Sequence, residues 1–339
     1  MSDAQHDLPE GLTEFLDAAG WGGAEIDPIP GDASFRRYFR IALSGKPAML
    51  MHAPPPHEDP KPFLHVGKWL TDNGMRAPNV YAAEPDQGWV LLEDFGNDRM
   101  RDWLDEHPQD EEAAYEAAID ALVDLHSKPA GPFPPYDMVA YLRESALLTE
   151  WYCPAAGLEV DVAGYDAAWR EVLEPLCERQ QPGVTVLRDY HAENIMLLDG
   201  SPGSPQGLID FQDALVGHPA YDLVSLLQDA RRDVDPGFAD MMLEYYRESR
   251  HRLGEAFYTD DDHFIGDYAI LGAQRNAKII GIFTRLWKRD GKPRYLDMIP
   301  RVWKLMEADL RYPALEPVAA WFDANIPQAI RDAQGGRLA

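Results

Sequence analysis

Residues 187–194 read Leu-Arg-Asp-Tyr-His-Ala-Glu-Asn, and residues 208–211 read Leu-Ile-Asp-Phe. Four residues separate Asp189 from Asn194, Asp210 follows 16 positions after Asn194, and an apolar stretch typical of a strand leads into each segment. A turn rich in Asp and Asn, followed by an Asp at a strand end, is common. Phosphoryl transfer, however, requires one carboxylate as a proton acceptor and two oxygen ligands for magnesium. The two segments together therefore favour a kinase-type site.

The composition is that of a globular protein. The length of 339 residues suggests about two domains, and the hydrophobic fraction of 45% is ordinary for a protein with a sizeable core. No apolar run reaches the roughly 18 residues that a membrane span needs, and the acidic residues 1–7 do not resemble a secretory signal. Cys153 and Cys177 are too few for a disulfide framework, so we expect a cytoplasmic protein.

The net charge of −27 limits the possible partners. It disfavours non-specific binding to nucleic acid or to an anionic membrane. The acidic residues are spread along the chain, which is typical of a solvated acidic surface; attraction of a cationic substrate is the alternative. We favour the acidic surface, because net charge influences solubility more than site chemistry.

The order of elements predicts the fold class. Leu8, Leu12, Phe15 and Leu16 share one face of a first helix, and a β-rich stretch follows up to about residue 92. From about residue 99 the chain is mostly helical, with a small two-strand insert and long helical patterns. Long helices are expected at about 219–252, 263–289 and 297–311, with a last one near 317–331. We therefore predict an α+β, two-lobed protein-kinase-like fold, with a nucleotide-binding lobe at 1–95 that ends in the hinge and a helical catalytic and substrate lobe at 96–339.

These motifs resemble the aminoglycoside phosphotransferase/choline kinase family, which shares the protein-kinase fold. Within it, the likeness is closest to the bacterial anomeric N-acetylmuramate/N-acetylglucosamine kinases of cell-wall recycling. The stretches that carry the resemblance are 32–40, 91–96, 188–196, 209–214, 221–227 and 274–293.

The resemblance implies roles for residues of the two opening segments. Asp189 would be the catalytic base, and Asn194 and Asp210 would hold Mg²⁺ on ATP. His191 would order the loop, and Asp222 would be a buried support for it. ATP and Mg²⁺ are the expected cofactors.

The nucleotide is expected to contact two groups of residues in the first lobe. The segment after the strand expected at 89–92 resembles the family's adenine connector, where the carbonyl of Glu93 and the amide of Phe95 would bind adenine. Arg36 and Arg37 project to opposite faces of a strand, so one of them could reach a phosphate, and Arg37 is the residue we select. The full set of expected nucleotide-binding residues is Asp32, Ala33, Ser34, Arg37, Glu93, Asp94 and Phe95.

The chain departs from the family at the phosphate-binding lysine. The second strand should carry this Lys, but residues 48–52 offer only Met51 or His52. The next helix, at 62–70, also lacks the Glu that would pair with it, and Leu187 stands where many relatives have His. Because of these gaps, a pseudokinase that binds nucleotide without turnover stays an alternative.

The leading expectation for the substrate is the anomeric hydroxyl of N-acetylmuramate or N-acetylglucosamine. Arg275, Lys278 and Arg285 recur at helical spacing and could contact the lactyl carboxylate of N-acetylmuramate, while Asp213 could reach a sugar hydroxyl. The alternative is an aminoglycoside or other amino-alcohol kinase, which the acidic charge would suit. A serine hydrolase and a zinc enzyme are disfavoured, because neither G-x-S-x-G nor H-E-x-x-H occurs.

Overall fold

The computed structural model describes residues 8–30, 35–203, 205–254 and 261–338. It divides into two compact units. Unit 1 comprises Met1–Asp110 and Glu193–Asp213, and unit 2 comprises Glu111–Ala192 and Ala214–Ala339. These units are defined by compactness and do not coincide with the functional division predicted at residue 95, which stays a prediction.

Unit 1 is built around a five-stranded antiparallel sheet with the order β1-β2-β3-β5-β4. Its strands are β1 (Glu25–Ile29), β2 (Arg37–Leu43), β3 (Lys46–His52), β4 (Val80–Glu84) and β5 (Trp89–Leu92). Helix α1 (Leu12–Ala18) precedes the sheet. Its apolar residues pack with Phe39, Ile41, Leu50 and Leu91, because alternate residues of an antiparallel strand point to one face. One face of the sheet is therefore the core of this unit.

The expected first helix was too long at its start. Leu8 lies outside α1 and is 41% exposed. Gly11 precedes the helix with φ of 87°, a left-handed conformation that glycine adopts without strain. The helix therefore begins at Leu12.

Two further helices and a hairpin complete unit 1: α2 (Lys61–Asp72), α3 (Met100–Glu106), β7 (Ile195–Leu197) and β8 (Gln206–Leu208). The ring of Phe63, on α2, stacks on that of Phe211 with the centroids 4.9 Å apart. Gly67 lies one turn further along α2, where an added Cβ would come within 3.3 Å of the Phe211 ring. The segment after β8 is thus anchored to α2.

Unit 2 is helical apart from the short antiparallel pair β6 (Val184–Val186) and β9 (Leu215–Gly217). Its helices are α4 (Glu111–Ser127), α5 (Met138–Ser145), α6 (Cys153–Ala155), α7 (Val162–Arg179), α8 (Ala220–Leu227), α9 (Pro236–Arg252), α10 (Asp261–Asp290), α11 (Ile299–Asp309), α12 (Glu316–Asn325) and α13 (Gln328–Asp332). In the described part of the chain, no helix combines the length and the apolar character that crossing a membrane requires.

Three details of the expected helical region were wrong. The helix expected at 219–252 is two helices, because the side chain of Asp235 accepts a hydrogen bond from the Phe238 amide and starts a new helix with Pro236 at its first position. The pattern at 317–331 is likewise divided, at Pro327. The expected two-strand insert is instead two separate strand pairs, β6 with β9 and β7 with β8.

Candidate functional site

The loop that carries Asp189 is fixed in unit 2 by a buried carboxylate. Asp222, which is 0% exposed in α8, accepts hydrogen bonds from the amides of Leu187 at 2.6 Å and Arg188 at 2.8 Å. Burial raises the pKa of Asp222 to about 7, against the opposing effect of these two donors. Arg188 itself has φ of 71°, an uncommon conformation for a non-glycine residue. These contacts turn the chain immediately before Asp189.

Other contacts hold the rest of this loop. The hydroxyl of Tyr190 donates to the carbonyl of Ala118 in α4 at 2.8 Å, and the amide of Ala192 donates to Asp229 at 3.3 Å. Nε2 of His191 lies 3.2 Å from Nη1 of Arg231. Burial first, and then the charge of Arg231, lowers the pKa of His191 well below its usual value. A neutral buried imidazole is consistent with the loop-ordering role expected for His191.

The electrostatic environment keeps Asp189 ionised. Its side chain is 42% exposed, and Oδ1 lies 4.0 Å from Nη2 of Arg275, which also donates to the hydroxyl of Ser225 at 2.8 Å. Burial raises the pKa of Asp189, but the charges of Lys278 and Arg275 outweigh it and lower the pKa to about 2. Asp189 is thus a partly exposed carboxylate that is ionised at neutral pH.

A buried acid that the sequence did not suggest, Glu144, connects Lys278 with Arg188. Glu144, in α5, forms ion pairs with Arg188 and, at 3.0 Å, with Nζ of Lys278, and it accepts a hydrogen bond from Tyr136. Burial raises the pKa of Glu144, but Lys278 and Arg188 outweigh it and lower the pKa. Arg275 and Lys278 are both largely buried in α10, at 3% and 8% exposure. Both are therefore buried rather than on the solvated surface that cations at helical spacing usually occupy, and Arg275 lies beside Asp189.

The two expected magnesium ligands meet in unit 1. Ile195 of β7 pairs with Leu208 of β8, so Asn194, just before β7, and Asp210, just after β8, lie at the same end of the hairpin. Nδ2 of Asn194 is 3.4 Å from Oδ2 of Asp210. Asp210 has φ of 59°, in the left-handed region that Asp tolerates better than most residues.

The donor set suits a nucleotide-bound magnesium ion. Carboxylate and amide oxygens are the hard ligands that Mg²⁺ prefers, and Mg²⁺ in nucleotide sites takes only one or two protein ligands beside phosphates and waters. Among the described residues, no cluster of three or more His, Cys, Asp or Glu side chains could hold a metal alone. Asn194 and Asp210 fit an ion that arrives with its nucleotide. Asp213, the nearby expected sugar contact, is exposed in the same unit.

The expected adenine connector is held by two ion pairs. Glu93 pairs with Arg76, which lowers the pKa of Glu93 through their hydrogen bonds. Asp94 pairs with Nε of Arg40 at 2.7 Å and also accepts from the amide of Gly96 at 2.9 Å. The guanidinium of Arg76 lies 4.6 Å from the centroid of the Phe95 ring. The acidic side chains of Glu93 and Asp94 are therefore occupied in shaping the connector.

The remaining expected nucleotide residues are placed less favourably or lie outside the described part of the chain. Asp32, Ala33 and Ser34 belong to the residues that the structure does not describe. The guanidinium of Arg37 lies 5.2 Å from the centroid of the Phe39 ring, on the core face of the sheet. The sequence pattern does not single out Glu144 or Asp229, and only their contacts in the folded chain identify them as supports of the Asp189 loop.

Comparisons with known proteins show which family this chain is similar to. A family model described as the phosphotransferase enzyme family matches residues 25–256. An N-acetylmuramate/N-acetylglucosamine kinase of Caulobacter vibrioides is 35% identical over 94% of this chain and 96% of its own length. The protein of the same name from Pseudomonas aeruginosa is 36% identical over 94% of each chain.

Solved structures give the same fold. A choline/ethanolamine kinase family protein from Mesorhizobium loti has a TM-score of 0.63 and 16% identity, with 93% of this chain and 97% of that one covered. The ADP-bound aminoglycoside phosphotransferase APH(2'')-Ib has a TM-score of 0.54 and 15% identity, with 84% and 92% covered. At such low identity these matches show the fold alone, and they confirm the α+β protein-kinase-like class predicted from the sequence.

Proposed function

This chain belongs to the phosphotransferase enzyme family, and from that premise we propose that it transfers the γ-phosphoryl group of ATP to an amino sugar. The acceptor is the anomeric hydroxyl of N-acetylmuramate, N-acetylglucosamine or both, and the product is the sugar 1-phosphate. The observation that carries this proposal is the identity of 35–36% with kinases of that name over nearly the full length of both chains.

In the proposed mechanism, Asp189 accepts the proton of the attacking hydroxyl as its oxygen approaches the γ-phosphorus. Its carboxylate is ionised at neutral pH, so it is ready to accept a hydrogen bond from the substrate. Asn194 and Asp210 would hold Mg²⁺, which offsets negative charge on the phosphate oxygens when bound. The carbonyl of Glu93 and the amide of Phe95 would bind the adenine edge.

The acceptor would be recognised beside Asp189. Arg275 lies 4.0 Å from this carboxylate, and Lys278 contributes to its low pKa, so both cations are near the proposed reaction centre. A lactyl carboxylate would be attracted to the same charges. Asp213 would accept a hydrogen bond from a sugar hydroxyl.

The proposed function can be tested with an acceptor panel. The purified protein is incubated with ATP, magnesium and one of N-acetylmuramate, N-acetylglucosamine, kanamycin or choline, and the products are followed by phosphorus NMR. We expect a sugar 1-phosphate with at least one of the two amino sugars. Transfer to kanamycin or choline alone would replace the proposal with the amino-alcohol kinase that the net charge of −27 would suit. Nucleotide binding without any turnover would indicate a pseudokinase.

A further inference from the structure

The two faces of β2 differ in what they contact. Phe39 and Ile41 belong to the core face that packs on α1. Arg37 shares this face: its guanidinium lies near Phe39, and its register partner is His52, whose ring stacks on Trp89 with centroids 3.9 Å apart. Because side chains alternate along a strand, Tyr38 and Arg40 lie on the opposite face.

This opposite face is the one that meets the expected nucleotide site. Arg40 donates to Asp94 in the connector at 3.2 Å, and Tyr38 donates to Met51 on β3 at 3.5 Å. The pKa of Tyr38 is raised, chiefly by burial and also by the negative charge of Asp210. The face of β2 that carries Tyr38 and Arg40 therefore connects the adenine connector with the expected magnesium carboxylate, all within unit 1.

On this face, β3 presents methionines where a phosphate-binding cation is expected. Met49 and Met51 pair with Arg40 and Tyr38 in the antiparallel register. Every residue of β3 is described by the structure, and its one Lys, Lys46, shares the alternation of the core-facing Leu50. No residue of β3 therefore places a lysine on the face that carries Tyr38 and Arg40.

Arg36 stands immediately before β2 and supplies a cation that contacts Tyr38 of this face. Its Nε lies 3.3 Å from Oε2 of Glu58, and the two side chains are 15% and 19% exposed. Arg36 also hydrogen-bonds Tyr38, which fixes it from a second side. Glu58 stands three positions before α2, the helix that itself contains no Glu. A guanidinium has five N–H donors, so it can hold a carboxylate along one edge and bind a phosphate with another.

We propose that Arg36, held in place by Glu58 and Tyr38, binds the phosphates of the nucleotide from the sheet of unit 1. The Arg36–Glu58 pair performs the task of the missing Lys–Glu pair, with the cation moved from β3 to the start of β2 and the acid moved to the segment before α2. The proposal rests on the proposed use of ATP and assigns the phosphate contact to Arg36 rather than to Arg37.

The test separates phosphate binding from adenosine binding. Isothermal titration calorimetry with ADP and with adenosine, both in magnesium and without any sugar, is carried out on the wild type, Arg36→Gln and Glu58→Gln. Loss of one charge-assisted hydrogen-bonding group corresponds to about a tenfold to a hundredfold loss of ADP affinity in Arg36→Gln. Adenosine affinity should stay within about twofold. Glu58→Gln should weaken ADP binding by a smaller factor, because the cation is less well oriented.

The control is Lys61→Gln, which makes the same change of charge in unit 1. Lys61 pairs with Asp86 on the surface, and the two side chains are 61% and 91% exposed. We expect it to leave both affinities unchanged. Thermal unfolding checks each variant, and if Arg36→Gln does not fold, Arg36→Lys is measured in its place and should still lose ADP affinity selectively.

Two results would overturn the assignment of Arg36. One is unchanged ADP affinity in folded Arg36→Gln or Arg36→Lys, and the other is an equal loss for ADP and adenosine. Failure of the proposed function looks different: the wild type would bind ADP, and Arg36→Gln would weaken that binding, while no sugar is phosphorylated.

Discussion

The support that Asp222 gives to the Asp189 loop predicts a large loss of stability when this carboxylate is removed. The carboxylate of Asp222 accepts hydrogen bonds from the amides of Leu187 and Arg188, and it is fully buried. Each buried donor left without an acceptor costs about 1–3 kcal/mol, so Asp222→Ala should lose roughly 2–6 kcal/mol. That is a large part of the roughly 5–15 kcal/mol that stabilises a typical protein. Asp222→Asn keeps one acceptor oxygen and should lose about half as much.

The assay combines urea unfolding with hydrogen exchange at residues 187–190. The control is Asp161→Ala, which removes a surface N-cap that accepts the Gly164 amide at 2.9 Å and should cost about 1 kcal/mol. We expect Asp222→Ala to cost several times more than this control and to lose protection at the two amides. A cost equal to that of the control, with the amides still protected, would refute the structural role of Asp222.

Three further predictions follow from pKa values in unit 2. Replacing Lys278 with Met removes a cation that lowers the pKa of Asp189. The acid limb of the profile of kcat/KM against pH should therefore move to higher pH. An acid limb that does not move would contradict this electrostatic account. The pKa of Asp222 is about 7 in the folded protein, whereas an unfolded Asp titrates at about pH 4. Between about pH 4 and 7 the native state therefore binds more protons than the unfolded state, so Tm should fall as the pH rises through this range. Asp222→Asn should flatten that slope, and a wild-type slope retained in the variant would assign it to other groups. Burial raises the thiol pKa of Cys153 to about 12 and of Cys177 to about 11, so alkylation at about pH 8 should be roughly a hundredfold slower in the native protein than in urea; rapid native labelling would contradict this.

The sequence indicated those parts of the candidate site whose residues lie close together along the chain. Asp189, Asn194 and Asp210 fall within 22 positions, and each stands next to a short apolar strand, so their spacing alone suggested a common chemistry. The hairpin of β7 and β8 then brings Asn194 and Asp210 together through its register, as Ile195 opposite Leu208 shows. The α+β class was equally predictable, because the β-rich and helical stretches are separate along the chain.

Contacts between distant positions could not be predicted. Glu144 is 44 positions from Arg188, and nothing in its helical pattern distinguishes it from a surface acid. Arg36 and Arg37 are adjacent cations expected on opposite faces, and only the packing of Phe39 and the register of β2 show which of the two faces is the core face. For the same reason, the sequence showed that the strand lysine is missing without indicating what replaces it.

The break between α8 and α9 was predictable in principle. Asp235 followed by Pro236 is a helix-start signal, but the apolar pattern continues across it and suggested one helix from 219 to 252. The break matters for the site, because Asp229 and Arg231 lie in it and hold Ala192 and His191. When an apolar helical pattern exceeds about 25 residues, a capping signal within it should therefore be given more weight than the periodicity in predicting where the helix ends.

The central claim, that Asp189 accepts the proton of a sugar hydroxyl, is tested most directly by the rate of phosphoryl transfer in Asp189→Asn. With N-acetylmuramate or N-acetylglucosamine as the acceptor, whichever the wild type uses, loss of a general base should lower kcat by about a hundredfold or more. The affinity for ADP should remain within about twofold, since Asp189 has no proposed nucleotide contact. An Asp189→Asn enzyme that keeps the wild-type kcat would contradict the account.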